Sequence, residues 1–383
     1  MRPYLRAANV DWNVLRLDNV KEMVFSEAED EAYLLKPMDI LVVEASGSAS
    51  EVGKSVVYRG YPADVRFQNT LLRVRCHRAD PEFIQLQLLA AAMAGDFVRG
   101  AKGVGINHLS RSGLAQHQVV VPPLDEQRRI VAILEDHLLH LDTAEKELLV
   151  ASSRCGVLAK QILLDAIPSA DAYPPDWRIT TVGRAGKVEL GRQRHPDWHV
   201  GPNMHPYLRV ANVFEARLDL SDVMEMHWPE DTFERFRLHP GDVLLNEGQS
   251  PHLLGRPAIY RGNPPDVAFT NSLLRFQVGD DVLPEFALLV FRRHMHAGRF
   301  AQESRITTNI AHLSASRLKL VEFPVPPLSV QQRIVHRTEE LLGEVDRLQS
   351  SAAGAARKCV VLRRSLLAAA FRGDLTVDFR KDQ

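Results

Sequence analysis

Val121-Pro122-Pro123-Leu124-Asp125-Glu126-Gln127-Arg128-Arg129-Ile130-Val131 returns 204 residues later as Val325-Pro326-Pro327-Leu328-Ser329-Val330-Gln331-Gln332-Arg333-Ile334-Val335. Each stretch opens a long helix. Asp125 and Ser329 are good N-caps, and Ser329-x-x-Gln332 fits a capping box. Behind the first opening, apolar residues recur at three-four spacing through Ile130, Leu134, Leu141, Leu148, Cys155, Leu158 and Ile162. The second gives Ile334, Leu341, Val345, Leu348, Cys359, Leu362 and Leu366. A narrow stripe kept over about four heptads predicts a coiled-coil seam. Pro168 stops the first helix and Arg372-Gly373 ends the second. Two similar seams in one chain pack most simply against each other, and a globule lying between them makes the pair antiparallel.

Working outward, the rest of the chain is also written twice. Pro3-Tyr-Leu-Arg-Ala-Ala-Asn-Val10 recurs as Pro206-Tyr-Leu-Arg-Val-Ala-Asn-Val213, and Asp39-Ile-Leu41 as Asp242-Val-Leu244. Tyr58-Arg-Gly60 answers to Tyr260-Arg-Gly262, Asn69-Thr-Leu-Leu-Arg73 to Asn271-Ser-Leu-Leu-Arg275, and Ile106-x-His-Leu-Ser110 to Ile310-x-His-Leu-Ser314. The offset stays between 202 and 204 throughout, the register of a tandem duplication. Outside the long helices, short apolar runs such as Ile40–Val43 and Val243–Leu245 alternate with Gly, Pro, Asn and Asp, a texture of strands and turns. Pro81–Met93 and Pro284–Met295 read as helices with proline in the first turn.

The expected fold class is therefore α/β (α+β): two tandem globular domains separated by two long helices packed as an antiparallel coiled coil. The expected boundaries are 1–123, helix 124–167, linker 168–176, 177–327, helix 328–373 and a tail, 374–383. The second copy carries Trp177–His205 ahead of its Pro-Tyr-Leu-Arg, whereas the first starts almost at Pro3, so the first domain reads as N-terminally abbreviated.

Composition closes several other routes. The 383 residues carry 47 Lys+Arg against 48 Asp+Glu, which argues against a purely electrostatic nucleic-acid binder. No run approaches the ~18–20 apolar residues of a membrane span, and Met1–Arg6 lacks the apolar stretch of a secretory signal. Cys76, Cys155 and Cys359 are too few for a disulfide framework and include no Cys-x-x-Cys. Cys155 and Cys359 share one seam position and read as buried thiols. A cytoplasmic protein without metal or membrane is expected.

The duplicated Pro-Pro-Leu-x-x-Gln-x-x-Ile, with Tyr-Leu-Arg-x-x-Asn-Val, Gly241-Asp-Val-Leu244 and the closing Leu366-Leu-Ala-Ala-Ala-Phe-Arg-Gly373, resembles the specificity (S) subunit of type I restriction–modification systems. The resemblance spans nearly the whole chain. It implies two target-recognition domains, each reading one half of a bipartite, asymmetric site in double-stranded DNA, with the helices as a ruler between them. It also implies docking of two modification (methyltransferase) subunits and of restriction (motor–nuclease) subunits. S-adenosylmethionine, ATP and Mg would sit on those partners, and no cofactor or catalytic centre on this chain.

Catalytic constellations give way to plainer readings. Gly53-Lys-Ser55 has its preceding glycine, Gly47, one residue too far away for a phosphate loop, and strand-like Val56-Val-Tyr58 follows. Asn263-Pro-Pro-Asp266 has an acid where an amino-methyltransferase would carry an aromatic to stack on a flipped base, and reads as a turn. His108, His312 and His294-x-His296 lack metal-ligand spacing and read as surface or hydrogen-bonding groups. The candidate DNA-reading residues are polar loops and one basic stretch. In the second copy these are Arg192, Gln193 and Arg194; Gln249, Ser250, His252 and Arg256; and Arg292, Arg293, Arg299, Arg305, Thr307, Thr308 and Asn309. In the first they are Lys54, Ser55, Arg99, Lys102 and Asn107. Two other functions stay open on the sequence: the recognition part of a combined methyltransferase–nuclease, and a degenerate scaffold without a specific DNA target.

Overall fold

The computed structural model describes residues 1–44, 48, 51–98, 108–169, 172–302, 305–307 and 310–378. It divides into two compact units, one made of Met1–Val150 with Ala352–Gln383 and the other of Ala151–Ser351. Each unit thus holds one globule and a portion of both long helices.

In the first globule the central strand, Ile40–Val43, is buried along its whole length between Ser55–Val57 and Leu71–Val74. Its side chains alternate between two cores. Ile40 and Val42 face Phe83, Leu86 and the long helices, while Leu41 and Val43 join Leu5, Val10 and Tyr58. A strand covered on both faces has to be apolar at every position, which explains the uninterrupted Ile-Leu-Val-Val. A second small sheet runs Lys21–Met23, Arg2–Leu5, Arg66–Phe67. The helix Pro81–Ala94 has Asp80 as its cap, accepting from the amides of Glu82 and Phe83, and stops at Gly95 with φ 80°.

The second globule repeats this plan. Val243–Asn246 lies between Pro257–Ile259 and Leu273–Val278, with Val243 and Leu245 in one core and Leu244 in the other. Its main sheet has a fourth strand, Gly186–Leu190, on the outer side of Leu273–Val278.

The duplicated motifs prove to be fasteners. Asn9 and Asn212 are buried; each accepts from the backbone amide three residues before it and donates to two carbonyls of the following hairpin (Arg16 and Asn19, or Asp219 and Asp222). Asp39 and Asp242 accept from the amides of Lys36 and His239. Thr70 and Ser272 accept from the amides of Ala7 and Val210. Tyr58 and Tyr260 donate their hydroxyls to the carbonyls of Pro62 and Pro264, so Asn263-Pro-Pro-Asp266 is a turn pinned by a neighbouring tyrosine.

The long helices run Leu124–Ala166 and Leu328–Arg372, 43 and 45 residues. They begin before Asp125 and Ser329, which therefore sit in the first turn rather than at the caps. The glutamine of the motif secures each start. Gln127 accepts from the amide of Asp80 at 2.8 Å and donates to Pro122 O at 2.6 Å. Gln331, fully buried, accepts from the amide of Leu283 at 2.9 Å and donates to the carbonyls of Asp281 and Pro326, both at 2.8 Å.

Within each unit the two helices run antiparallel. In the first, Ile130, Val131, Leu134 and Leu138 share a core with Leu367 and Ala370, and Arg363 reaches Asp142 and Glu145. In the second, Leu163 and Ile167 pack with Ile334, Val335 and Leu342. Ile130, Leu134, Val345 and Cys359 are buried, and Leu141, Leu148, Cys155, Ile162, Ile334, Leu341 and Leu366 half-buried. Three expected seam positions are corrected. Leu158, Leu348 and Leu362 are 47%, 59% and 56% exposed. A strict three-four count ran ahead of the helix: from Cys155 the inward face continues through Ala159 to Ile162 and Leu163, and from Cys359 through Arg363 to Leu366 and Leu367. All three cysteines are free thiols.

Candidate nucleic-acid interface

In the second globule two of the expected loops are joined by backbone pairing. Gly248–Gln249 lies alongside Ile310–His312, which forms a hairpin with Arg305–Thr307, giving a small three-stranded sheet. Gln249 and Ser250 are half-buried and His252 exposed on the turn that follows. The backbone of Arg305 and Thr307 belongs to this hairpin. Thr308 and Asn309 lie outside the described residues. Sequence spacing gave no sign that residues some sixty apart share a sheet; only strand pairing shows it.

Beside this sheet His312 Nδ1 stands 3.2 Å from Glu247, and the duplicate pair His108–Glu44 is at 3.4 Å. His312 is thus a hydrogen-bonding group and His108 stands beside a carboxylate; among the described residues no cluster of His, Cys, Asp and Glu could hold a metal.

Arginines set on aromatic faces form a further feature that a charge count missed. Arg192 lies 3.8 Å from the ring centre of Trp198 and 4.9 Å from that of Trp228, and donates to His227 O. Gln193 and Arg194, next in the chain, are exposed. Arg256 and Arg217 both stack on Phe214, at 4.6 and 4.5 Å. Burial pushes the guanidinium groups of Arg192 and Arg256 downward from their ordinary range, although both keep their charge at neutral pH. The signal that could have found these stacks is aromatic: Trp198 and Phe214 fall in polar, turn-rich stretches.

Several expected contacts are turned inward and are corrected here. Arg292 and His296 share Glu215, at 2.8 and 2.9 Å; Arg293 donates to Ile167 O; Arg299 pairs with Glu322 at 2.9 Å. Each partner is far away in sequence, so local charge counting could not reveal the neutralisation. In the first globule Lys54 is buried and bridges Asp11, at 2.7 Å, and Glu51. Burial alone would raise the Asp11 carboxyl, but bonds from Lys54, the Trp12 amide and Arg16 outweigh it and hold it at about 2. Ser55 is wholly buried and accepts from Gln85. Arg99, Lys102 and Asn107 lie outside the described residues.

His294, 1% exposed, sits beneath this region with Nε2 3.0 Å from Glu322 O. Burial pushes it down to about 4, against the upward pull of Glu322 and with Arg293 and Arg299 assisting. The unfolded side chain takes its proton near 6.5. Stabilisation from a neutral His294 is therefore complete above that value and drains away as the pH falls toward about 4. Thermal scans should show the second globule melting lower at pH 5 than at pH 7, and His294→Phe should flatten that difference.

With this geometry, the chain has the make-up of a duplicated protein: two related globules, each secured to long helices. A family described as the type I restriction modification DNA specificity domain matches residues 218–348. The specificity subunit of the type I restriction enzyme StySPI from Salmonella potsdam is 24% identical over 396 residues, covering 96% of this chain and 83% of that one. For the EcoKI specificity subunit of Escherichia coli K12 the identity is 22%, with coverages of 99% and 84%. Among solved structures, a chain from work on assembly and conformational transition of the type I R-M system superposes with a TM-score of 0.79, at 18% identity, covering 97% of this chain and 92% of that chain. The HsdS subunit from Thermoanaerobacter tengcongensis gives 0.60, at 19% identity, covering 97% and 90%. Residues 218–348 thus match the type I restriction modification DNA specificity domain, and nearly the whole chain is similar in sequence to type I specificity subunits.

Proposed function

We propose that this chain is the DNA sequence-recognition subunit of a type I restriction–modification complex, reading a bipartite, asymmetric site through its two unlike globules. The observation that carries the reading is the specificity-domain match over 218–348, supported by a small sheet that joins two polar loops of the second globule. Polar loops brought together by backbone pairing suit contact with a duplex groove. The exposed residues Gln193, Arg194 and His252, together with Thr308 and Asn309, are the proposed contacts in that globule; Arg99, Lys102 and Asn107 are those of the first. The long helices serve as ruler and as the dock for two modification subunits and for the motor–nuclease subunits. The chain itself is non-catalytic and cytoplasmic, and its partners bind S-adenosylmethionine, ATP and Mg.

Methylation mapping by single-molecule sequencing tests this directly. DNA from cells carrying the chain with its genomic neighbours should show methylated adenine at one split motif, lost on deletion of this gene alone. An unchanged methylome in an otherwise active system would overturn the reading.

A further inference from the structure

Arg217 and Arg256 come from two separate loops of the second globule and settle on one ring. Val213–Phe214 pairs with Arg217–Leu218 in a tight hairpin. Its tip is pinned twice: the Ala216 amide, at φ 58°, donates to Pro257 O at 2.9 Å, and the Glu215 carboxylate takes Arg292 and His296. Arg256 closes the loop that carries Gln249, Ser250 and His252, its amide donating to Leu253 O at 3.2 Å. The two guanidinium groups lie 4.5 and 4.6 Å from the ring centre of Phe214.

Two like charges on one ring ask for an anion. Arg256 is half-buried, and its Nε–H, cut off from solvent, has no acceptor. Burial lowers the pKa of this guanidinium; Glu215 draws it back up, and Arg217 lowers it again. Among the described residues neither arginine forms an ion pair, because the nearby acids are engaged elsewhere. Glu215 holds Arg292 and His296 at 2.8 and 2.9 Å, and Asp219 accepts from the amide and hydroxyl of Ser221. A guanidinium seated on an aromatic face is fixed in place yet keeps its N–H edge free for an anion.

The first globule has the same hairpin and loop without the charge. Asn13, at φ 55°, matches Ala216, and its amide donates to Ser55 O. Exposed Val14 stands at the place of Arg217, and Lys54, at that of Arg256, is buried against Asp11 and Glu51.

We propose that Arg217 and Arg256 together grip one phosphate of the DNA backbone, and that the first globule makes no such grip at the matching place. The proposal rests on the DNA-recognition reading above and adds a sequence-independent hold on one half of the duplex. DNA supplies the phosphate, since the stack ends the loop that presents exposed His252 and since Arg217 is itself exposed.

The test titrates the full chain against two labelled duplexes, one carrying the methylated split motif and one scrambled, from ~50 to ~300 mM salt. Arg217→Gln and Arg256→Gln should each weaken both duplexes about threefold at ~100 mM salt, and Arg217→Lys should restore most of the loss. The double Gln variant should lower the salt slope by about one, not the two expected of separate phosphates. Lys54→Gln should leave the slope unchanged. If Arg256→Gln impairs folding, exposed Arg217 still decides through its Gln and Lys variants. An unchanged slope in the double variant, or a loss confined to the split-motif duplex, would overturn the proposal. A slope lowered equally by Lys54→Gln would overturn its one-sidedness. If the unaltered chain showed no preference for the split motif, the recognition reading would fall, while the slopes on the scrambled duplex would still decide the grip.

Discussion

Arg275→Met is expected to lower the stability of the second globule by ~3–5 kcal/mol, the usual consequence of stranding a buried acid. The Arg275 side chain is nearly enclosed, binds Glu189 and the carbonyls of Arg235 and Arg237, and lies 3.5 Å from Asp242. Burial alone would raise the Glu189 carboxyl; bonds from Arg235 and Arg275 outweigh it and hold it below its ordinary value. Removing the guanidinium leaves Glu189 with Arg235 and Lys187, both more exposed, and leaves two backbone carbonyls without a donor. The repeat provides the control. Arg73→Met removes only two bonds to carbonyls and strands no such acid, so about 1–2 kcal/mol is expected there. Denaturation followed by tryptophan fluorescence separates the two, because Trp177, Trp198 and Trp228 report on the second globule and Trp12 on the first. Equal losses in both variants would show that the acid at 189 does not matter.

Gln331→Leu is the second large effect. Its amide ties the helix start to the loop before Pro284–His296 through two bonds to backbone, at Leu283 and Asp281, and holds the Pro326 carbonyl through a third. Leucine fills the space but leaves the Leu283 amide and two carbonyls dry, a cost of ~2–4 kcal/mol. Gln127→Leu breaks two such bonds and should cost less. Gln331→Glu tests the same geometry differently, since a carboxylate can accept from Leu283 yet cannot donate to Asp281 and Pro326. Urea midpoints of the three variants should fall in the order Gln127→Leu, then the two Gln331 variants lowest.

The duplication, the mixed helix-and-strand globules and the paired long helices were legible because they rest on repeated residues and on periodicity. The motifs that made the repeat visible are the ones that bind backbone to backbone through Asn9, Asp39, Gln127 and their counterparts, so they report on folding rather than on what is recognised. Leu158 and Leu362 were misplaced because a heptad count cannot see where a helix of 3.6 residues per turn changes which residue it presents, whereas Leu348 lies in a stretch, 346–351, that is exposed throughout. The basic stretch misled for another reason. Arg292 and Glu215 are 77 residues apart, and Arg293 and Ile167 are 126 apart, so whether a cation faces water or an acid is decided only by tertiary contact. The aromatic seats of Arg192 and Arg256 were invisible for the same cause.

The end of the chain is part of the first globule, not an appendage to the second. Leu367 and Ala370 complete its core, Phe371 sits edge-on to Phe83, and Thr376 donates to Glu126 at 2.6 Å. The order in which residues leave the ribosome therefore differs from the order in which cores can close. Ala151–Ser351 is contiguous and can fold while synthesis continues. The globule made first must wait, with part of its apolar surface bare, until Leu367–Thr376 have been translated.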